Sequence, residues 1–162
     1  MQIEVVSRNL IKVHDVIVDY DQTPAEAIKG LPYNNPLIAT SYPQGLWNGG
    51  KTGRVEGVTI PVCAPSRWFS TEDERKFQQE IGFGNPAELA ALKREDVHQT
   101  LSAEGIWWVV SLRENDEDLW LAPDGGRRPV FIDLYPRYRG FRLGCAYYAW
   151  NVLRALVGSP QV

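Results

Sequence analysis

Residues 45–52 have the spacing of a phosphate-binding loop. They read Gly45-Leu-Trp-Asn-Gly-Gly50-Lys51-Thr52, which satisfies the Walker A pattern G-x-x-x-x-G-K-[ST]. In that loop, backbone N–H groups surround the phosphates, the lysine reaches the terminal phosphate and the hydroxyl binds magnesium. Val130-Phe-Ile-Asp133 resembles the Walker B segment, whose carboxylate also holds magnesium. The pattern indicates a phosphate-substrate or nucleotide-binding enzyme that uses Gly45, Gly50, Lys51, Thr52 and Asp133.

The residues around this pattern are not those of a nucleotide-binding sheet. Lys51 and Thr52 are followed by Gly53-Arg-Val-Glu-Gly57-Val-Thr-Ile, which favours a strand, whereas a Walker A loop leads into a helix. Ser41-Tyr-Pro43 stands where a strand should run into the loop. The alternating strands and helices of a parallel sheet are also missing. The sequence therefore keeps the enzyme interpretation as an alternative.

A second candidate is the arginine-rich and aromatic tract Tyr135-Pro-Arg137-Tyr138-Arg139-Gly-Phe141-Arg142. Guanidinium groups bind phosphates and stack, and aromatic rings stack on bases. The structural alternative is a turn whose aromatic rings pack in the core and whose arginines pair with acidic side chains. We predict that a binding surface here uses Tyr135, Arg137, Tyr138, Arg139 and Arg142.

The distribution of charge agrees with that choice. Residues 124–162 carry six arginines and two aspartates, a net charge of +4, whereas residues 1–123 carry 11 basic and 18 acidic residues, a net of −7. Such asymmetry is typical of a surface for an anionic partner, or of sheet faces with opposite charges. The overall pI of about 5.4 is low for a dedicated nucleic-acid binder.

No catalytic or metal-binding set is visible in the sequence. In a regular strand over residues 11–20, Val13, Asp15, Ile17 and Asp19 would share one face and His14 would lie on the other. Asp15 and Asp19 would then be roughly 13 Å apart, too far for one ion. Serine and cysteine residues lack a nucleophile signature. We expect neither a metal nor a cofactor, and the sequence leaves enzymatic activity open.

The two cysteines, Cys63 and Cys145, stand among apolar residues outside any C-x-x-C pattern. We expect two buried reduced thiols, with a disulfide between them as the alternative. The N-terminus lacks a basic segment followed by an apolar one, so a signal peptide is not expected. Apolar runs are far shorter than the ~18 residues that span a bilayer. These observations predict a cytoplasmic protein without a membrane segment.

The first hundred residues mix strands with short helices. Residues 3–6 and 11–20 favour strands, and Thr23-Pro24-Ala-Glu26 is a capping box that begins a helix. Residues 31–54, rich in proline and glycine, predict a long ordered loop. Residues 55–62 favour a strand, which Pro61 would place at a sheet edge. Helices are predicted from Ser70 to Gly82, over 87–94 and over 96–103.

The remaining residues predict an antiparallel meander. Residues 106–112 are apolar on both faces, which indicates a central strand. Glu114–Glu117 and Pro123–Gly126 are candidate hairpin turns. Phe141–Tyr148 favours a further strand, although Leu143, Tyr147 and Trp150 would also form a helical stripe. A short helix is predicted over Asn151–Val157.

Several short segments have counterparts in known sequences. They are Val18-Asp-Tyr-Asp21, Glu26-Ala-Ile-Lys-Gly30, Gly53-Arg-Val-Glu56, Ser70-Thr-Glu-Asp-Glu74, Asn85-Pro-Ala-Glu-Leu-Ala90, Leu121-Ala-Pro-Asp-Gly-Gly126, Val130–Leu134 and Phe141-Arg-Leu-Gly-Cys145. In this order they resemble a family of short, uncharacterised bacterial α+β proteins with no assigned activity. The resemblance implies an architecture and a strand at Phe141–Tyr148, and it implies no catalytic residues.

Together these observations predict one α+β domain over residues 1–162. We expect a mostly antiparallel sheet of five to seven strands with a C-terminal meander, and helices mainly on one face. The predicted function is a non-enzymatic binding or protein-interaction module that uses the arginine and aromatic residues. The alternatives are the phosphate-binding enzyme and an RNA or single-stranded DNA binder.

Overall fold

The computed structural model describes residues 3–7, 9–64, 71–144 and 154–161. Strands and short helices alternate in the first part of the chain, and strands dominate after residue 107. The strands are β1 (Ile3–Ser7), β2 (Leu10–Asp19), β3 (Arg54–Cys63), β4 (Trp108–Ser111), β5 (Trp120–Leu121), β6 (Arg127–Arg128), β7 (Val130–Asp133), β8 (Gly140–Leu143) and β9 (Arg154–Val157). The helices are α1 (Pro24–Ala27), α2 (Pro36–Ser41), α3 (Gln44–Asn48), α4 (Thr71–Gln78), α5 (Pro86–Ala90) and α6 (Glu95–Ala103).

Seven strands form one sheet in the order β1-β2-β3-β9-β4-β7-β8. Neighbouring strands are antiparallel except β9 and β4, which are parallel. β5 and β6 form a separate hairpin inserted between β4 and β7. The predicted α+β fold, with a mostly antiparallel sheet of five to seven strands and a C-terminal meander, is confirmed. The longest described helix, α6, has nine residues. No described helix is long and apolar enough to span a membrane.

The main hydrophobic core covers one face of the sheet. Side chains from α1, α2, α3, α5 and α6 contact the inward residues of the strands there. Val109 faces this core, while its neighbour Val110 lies in a smaller cluster with Leu112 and Leu156. Because adjacent residues of a strand point to opposite faces, both faces of β4 are buried. The predicted central strand is confirmed, since β4 lies between β9 and β7.

A bulge changes the face that β2 presents. Asp15 has φ 56°, and the pairing of β2 with β3 shifts between Val13 and Val16. Val13 and Val16 therefore both face the core, although strict alternation would separate them. The face assignment predicted from the sequence is wrong beyond His14 for this reason. The one extra residue lets the apolar side chains before and after the bulge face the same core.

Pro61 lies in the interior of the sheet rather than at the predicted edge. β3 pairs with β2 on one side and with β9 on the other. The β9 ladder covers Val62 and Cys63, and a separate bridge joins Thr59 to Gln161. Pro61 falls between them, where its carbonyl accepts a hydrogen bond from the Gly158 N–H. The missing N–H is tolerated because the ladder is interrupted at this residue.

Three other predictions differ from the structure. Residues 31–54 contain α2 and α3 instead of a continuous loop. Glu114–Glu117 is not a hairpin turn, because β4 pairs with β7 and the chain after β4 forms a 3-10 turn at Asp116–Asp118. Residues 154–157 of the predicted last helix form β9, because the place between β3 and β4 buries the apolar side chains of Ala155, Leu156 and Val157.

Other predictions are confirmed where the structure describes them. The Pro123–Gly126 turn joins β5 to β6. Phe141–Leu143 belongs to β8, whereas residues 145–148 lie outside the described residues. Cys63 is a buried free thiol whose pKa burial raises to about 11. Cys145, the other predicted thiol, also lies outside the described residues.

Substitutions at Asp15 should show the backbone requirement of the bulge. Asp15→Gly should raise the free energy of unfolding by about 0.5 kcal/mol, because glycine adopts a positive φ without steric cost. Asp15→Val should lower it by about 2 kcal/mol. Urea denaturation measures both values.

Ile17 is the matched control, since it is also exposed on β2 but has no positive φ. Ile17→Gly should lower the free energy of unfolding by about 1 kcal/mol. An equal loss at both positions on changing to glycine would contradict the proposed role of the bulge.

Candidate functional site

The turn between β7 and β8 positions most of the predicted binding residues. The carboxylate of Asp133 accepts a hydrogen bond from the Tyr135 N–H (3.0 Å), and the Tyr135 carbonyl accepts one from the Tyr138 N–H (2.9 Å). The side chain of an aspartate commonly stabilises such a turn by accepting a hydrogen bond from the backbone N–H two residues later. Asp133 therefore shapes this turn, and the structure does not bring it to the Gly45–Thr52 loop as a magnesium ligand.

Tyr135 belongs to a group of aromatic rings at the start of β4. Its ring stacks on Trp107 with 4.4 Å between centroids and an interplanar angle of 7°. Trp108 meets the same ring edge-on at 6.0 Å. All three side chains are half-buried. Such contacts stabilise a pair by about 0.5–1.5 kcal/mol beyond burial, so the rings form a rigid partly exposed platform.

Arg139 makes its contacts within the protein. Its guanidinium forms an ion pair with Glu95 of α6 (2.8 Å) and donates a hydrogen bond to the Leu134 carbonyl (3.3 Å). The side chain is 18% exposed. Arg139 therefore fastens the turn to α6 and offers little charge to a partner, in contrast with the role predicted from the sequence.

The other two arginines of the tract differ from Arg139. Arg137 is exposed and makes no ion pair with any described carboxylate. Arg142 is half-buried and donates a hydrogen bond to the Tyr138 carbonyl (2.9 Å). Tyr138 itself is 52% exposed. We call Trp107, Tyr135, Arg137, Tyr138 and Arg142 the arginine–aromatic surface.

The outer edge of β8 beside this surface is already occupied. The N–H groups of Tyr33 and Asn35 donate to the carbonyls of Arg139 and Phe141, and the Asn34 side chain accepts from the Phe141 N–H. Gly140 is required here, because a Cβ at this position would collide with the Tyr33 backbone. A partner strand cannot add to this edge, so any recognition must use the exposed side chains.

The Gly45–Thr52 loop does not have the geometry of a phosphate-binding loop. α3 begins before the motif and covers its first four residues, 45–48. Gly49 and Gly50 follow the helix with φ values of 65° and 78°, and β3 begins at Arg54. A phosphate-binding loop follows a strand and precedes a helix, so the order of elements here is reversed. The backbone N–H groups are therefore not gathered at a helix N-terminus.

Lys51 is paired within the protein. Its ammonium group lies 2.9 Å from a carboxylate oxygen of Glu88, a residue that is 1% exposed. The Tyr20 hydroxyl donates to the same oxygen (2.6 Å), and the Asn85 N–H donates to the other (2.7 Å). Burial, followed by the hydrogen bond to Glu88, raises the pKa of Tyr20 far above its usual value. Tyr20 thus remains a donor.

Two asparagines attach the loop to this carboxylate. The Asn85 side-chain amide donates to the Asn48 carbonyl (2.9 Å), and the Asn48 amide donates to the Tyr20 carbonyl (3.1 Å). The Asn48 side-chain oxygen accepts from the Gly50 N–H (2.8 Å). Glu88 is not among the residues predicted from the sequence, although the capping box that it forms with Asn85 is a local signal for its position.

In the cavities that the described residues line, the predicted features do not come together. Asp19 lines a cavity of about 240 Å³ together with Arg54 and Lys93. The Gly45–Thr52 loop lines another of about 310 Å³, and the arginine–aromatic surface lines neither. Among the described residues, no three histidine, cysteine or acidic side chains come together as metal ligands.

His98 lies buried on α6, one turn after the Glu95 that binds Arg139. Within the described part of the chain, neither ring nitrogen of His98 has a hydrogen-bond partner. Burial, reinforced by the positive charge of Arg139, lowers the pKa of His98 to about 4. The neutral imidazole is therefore part of the folded state at neutral pH.

Removal of the Glu88 carboxylate should destabilise the loop and its supports. Glu88→Ala should lower the free energy of unfolding by about 3 kcal/mol, because three donors lose their acceptor in a buried place. Lys51→Met should cost about 1 kcal/mol, since the lysine side chain is 51% exposed. Chemical denaturation measures these values. Glu56→Ala, an exposed control, should change stability by less than ~0.5 kcal/mol, and a similar small effect for Glu88→Ala would contradict this role.

The depressed pKa of His98 predicts a loss of stability in acid. The unfolded state takes up a proton near pH 6.5, whereas the folded state takes it up only near 4. Stability should be complete above pH 6.5 and fall by up to about 3 kcal/mol as the pH drops to 4. His98→Leu should remove this dependence and stabilise the protein at neutral pH by about 1 kcal/mol.

Denaturation curves across this pH range test the prediction. His14→Gln is the control, because His14 lies at the surface between Glu4 and Thr59, where each ring nitrogen has a hydrogen-bond partner. This variant should keep the part of the acid dependence that His98 causes. The same slope in wild type and His98→Leu would show that other groups cause it.

Comparison with known proteins assigns the chain to no family. No family model, curated protein or solved structure matches the chain.

Proposed function

We propose that this protein is a non-enzymatic binding module that contacts another protein through the arginine–aromatic surface. The observation that carries the proposal is the exposure of Arg137 and Tyr138 beside the rigid Trp107–Tyr135 stack. The turn that bears them is fixed on both sides, by Asp133 and by the Arg139–Glu95 ion pair. A partner would therefore meet side chains whose ordering is largely complete before binding.

The composition of the surface favours a protein partner. Tryptophan, tyrosine and arginine are the residues most often found at the centres of protein interfaces. A nucleic-acid site would need a longer row of cations, because affinity for phosphates grows with each charge contact. Here Arg139 is neutralised by Glu95, and Asp133 lies within the same turn. We place the module in the cytoplasm, as the sequence predicts.

No observation favours the nucleotide-binding alternative over this one. The candidate lysine is bound to Glu88, and Asp133 closes the β7–β8 turn. A nucleotide that engaged this lysine would have to break its pair with Glu88, and the buried carboxylate would then lose its counter-ion. The proposal accordingly assigns no catalytic role to the Gly45–Thr52 loop.

Affinity capture with matched variants tests the proposal. A protein recovered by the wild type from its native lysate should be lost with Arg137→Ala combined with Tyr138→Ala. The dissociation constant of the purified pair should rise at least tenfold, the effect expected for central interface residues. Wild type and variant should show the same thermal unfolding, because both side chains are exposed.

Arg54→Ala combined with Val55→Ala is the control. Both residues are exposed on β3, which β9 and β4 separate from the β7–β8 turn. Their substitution removes one positive charge and some apolar area, as the first double substitution does. The control should capture the same partner. Equal capture by both double variants would contradict the proposal. Tight binding of single-stranded RNA that weakens steeply with salt and requires Arg137 and Arg142 would replace it with nucleic-acid binding.

A further inference from the structure

Two cavities adjoin the Gly45–Thr52 loop and share two charged side chains, Arg113 and Asp118. The first, of about 310 Å³, is also lined by Gly45, Leu46, Gly49 and Gly50. The second, of about 490 Å³, is also lined by Gln79, Gly82, Phe83, Glu114 and Ser159. Each is as large as the smaller ligand sites of proteins.

Arg113 has no counter-ion among the described residues. Its guanidinium donates one long hydrogen bond, to the Phe83 carbonyl (3.3 Å). The nearby carboxylate of Asp116 is bound to Arg75 instead (2.7 Å). Arg75 also donates to the Arg113 carbonyl (2.8 Å), which fixes the backbone where the chain leaves β4. The position of Arg113 is thus determined while most of its N–H groups remain available.

Asp118 is a negatively charged residue whose carboxylate is likewise unpaired among the described residues. It ends the 3-10 turn Asp116–Asp118, where its N–H donates to the Asn115 carbonyl (3.1 Å). Its carboxylate makes neither an ion pair nor a side-chain hydrogen bond with any residue that the structure describes. Arg113 and Asp118 line the same space but are too far apart to form an ion pair. A molecule between them would have to offer a negative and a positive group.

We propose that these cavities bind a small zwitterion of the free α-amino acid class, with its carboxylate on Arg113 and its ammonium group on Asp118. A charge-assisted hydrogen bond at each end would satisfy both unpaired groups. A phosphate or nucleotide does not fit, because Asp118 and Glu114 would repel its charges. Glu114, Gln79 and Ser159 line the second cavity, where the side chain of the amino acid would lie. A basic side chain should therefore bind more tightly than an acidic one.

Isothermal titration calorimetry of the wild type with L-lysine, L-leucine and L-glutamate tests the proposal. L-Lysine should bind most tightly and L-glutamate most weakly. Blocking either end of the ligand, as in Nα-acetyl-L-lysine or L-lysinamide, should weaken binding at least about tenfold. Arg113→Met, which keeps the aliphatic stem, and Asp118→Asn should each have a similar effect on L-lysine.

Two variants serve as controls. Arg127→Met changes an arginine that, like Arg113, donates to one backbone carbonyl and forms no ion pair with described residues. Glu117→Gln removes a charge from the same 3-10 turn as Asp118. Both should bind L-lysine as the wild type does. Absence of heat with every amino acid at about 10 mM, or equal affinity in Arg113→Met and Arg127→Met, would overturn the proposal. Equal binding of acetate and L-lysine would also overturn it, since a simple anion needs no Asp118.

Discussion

The buried carboxylate of Glu88 is the interaction on which the central part of this structure depends. A lone carboxylate in such a place would cost several kcal/mol, so each of its oxygens must be hydrogen-bonded. Tyr20 supplies one donor from the end of β2, Lys51 another from the loop before β3, and Asn85 a third from the start of α5. One side chain thereby fixes three separate parts of the chain relative to each other.

This constraint also decides how the surrounding surface can be used. Because the lysine of the Gly45–Thr52 loop faces Glu88, the loop presents backbone and small residues rather than a cation to its cavity. The cation in that cavity comes from Arg113, which the chain supplies from the end of β4. At the opposite end of β4, Trp107 carries the stacked Tyr135. A short central strand thus positions residues of both surfaces that we assign to binding.

Much of the architecture follows from sequence patterns. Alternating apolar residues, the Thr23 capping box and the Pro123–Gly126 turn are local signals, and the structure contains the elements they predict. The predictions from sequence are wrong where contacts between distant residues determine the local structure. The bulge at Asp15 shifts the faces of β2, and residues 154–157 form a strand because the sheet leaves a place for them between β3 and β4. For the candidate sites, the residue types around Tyr135–Arg142 were informative, but the Arg139–Glu95 pair joins residues 44 positions apart and has no local signal.

The place of β9 has a consequence for the order in which the chain becomes structured. Among the described strands, β9 joins β3 to β4 and is the last in sequence. During synthesis, the ribbon of β1, β2 and β3 and the meander of β4, β7 and β8 can each pair before residue 154 emerges. Until then both have an open edge with unpaired backbone groups, the feature that promotes association between chains. On insertion, β9 pairs with Val62 and Cys63 at the end of β3 and with three residues of β4, so the last strand made joins the two parts of the sheet.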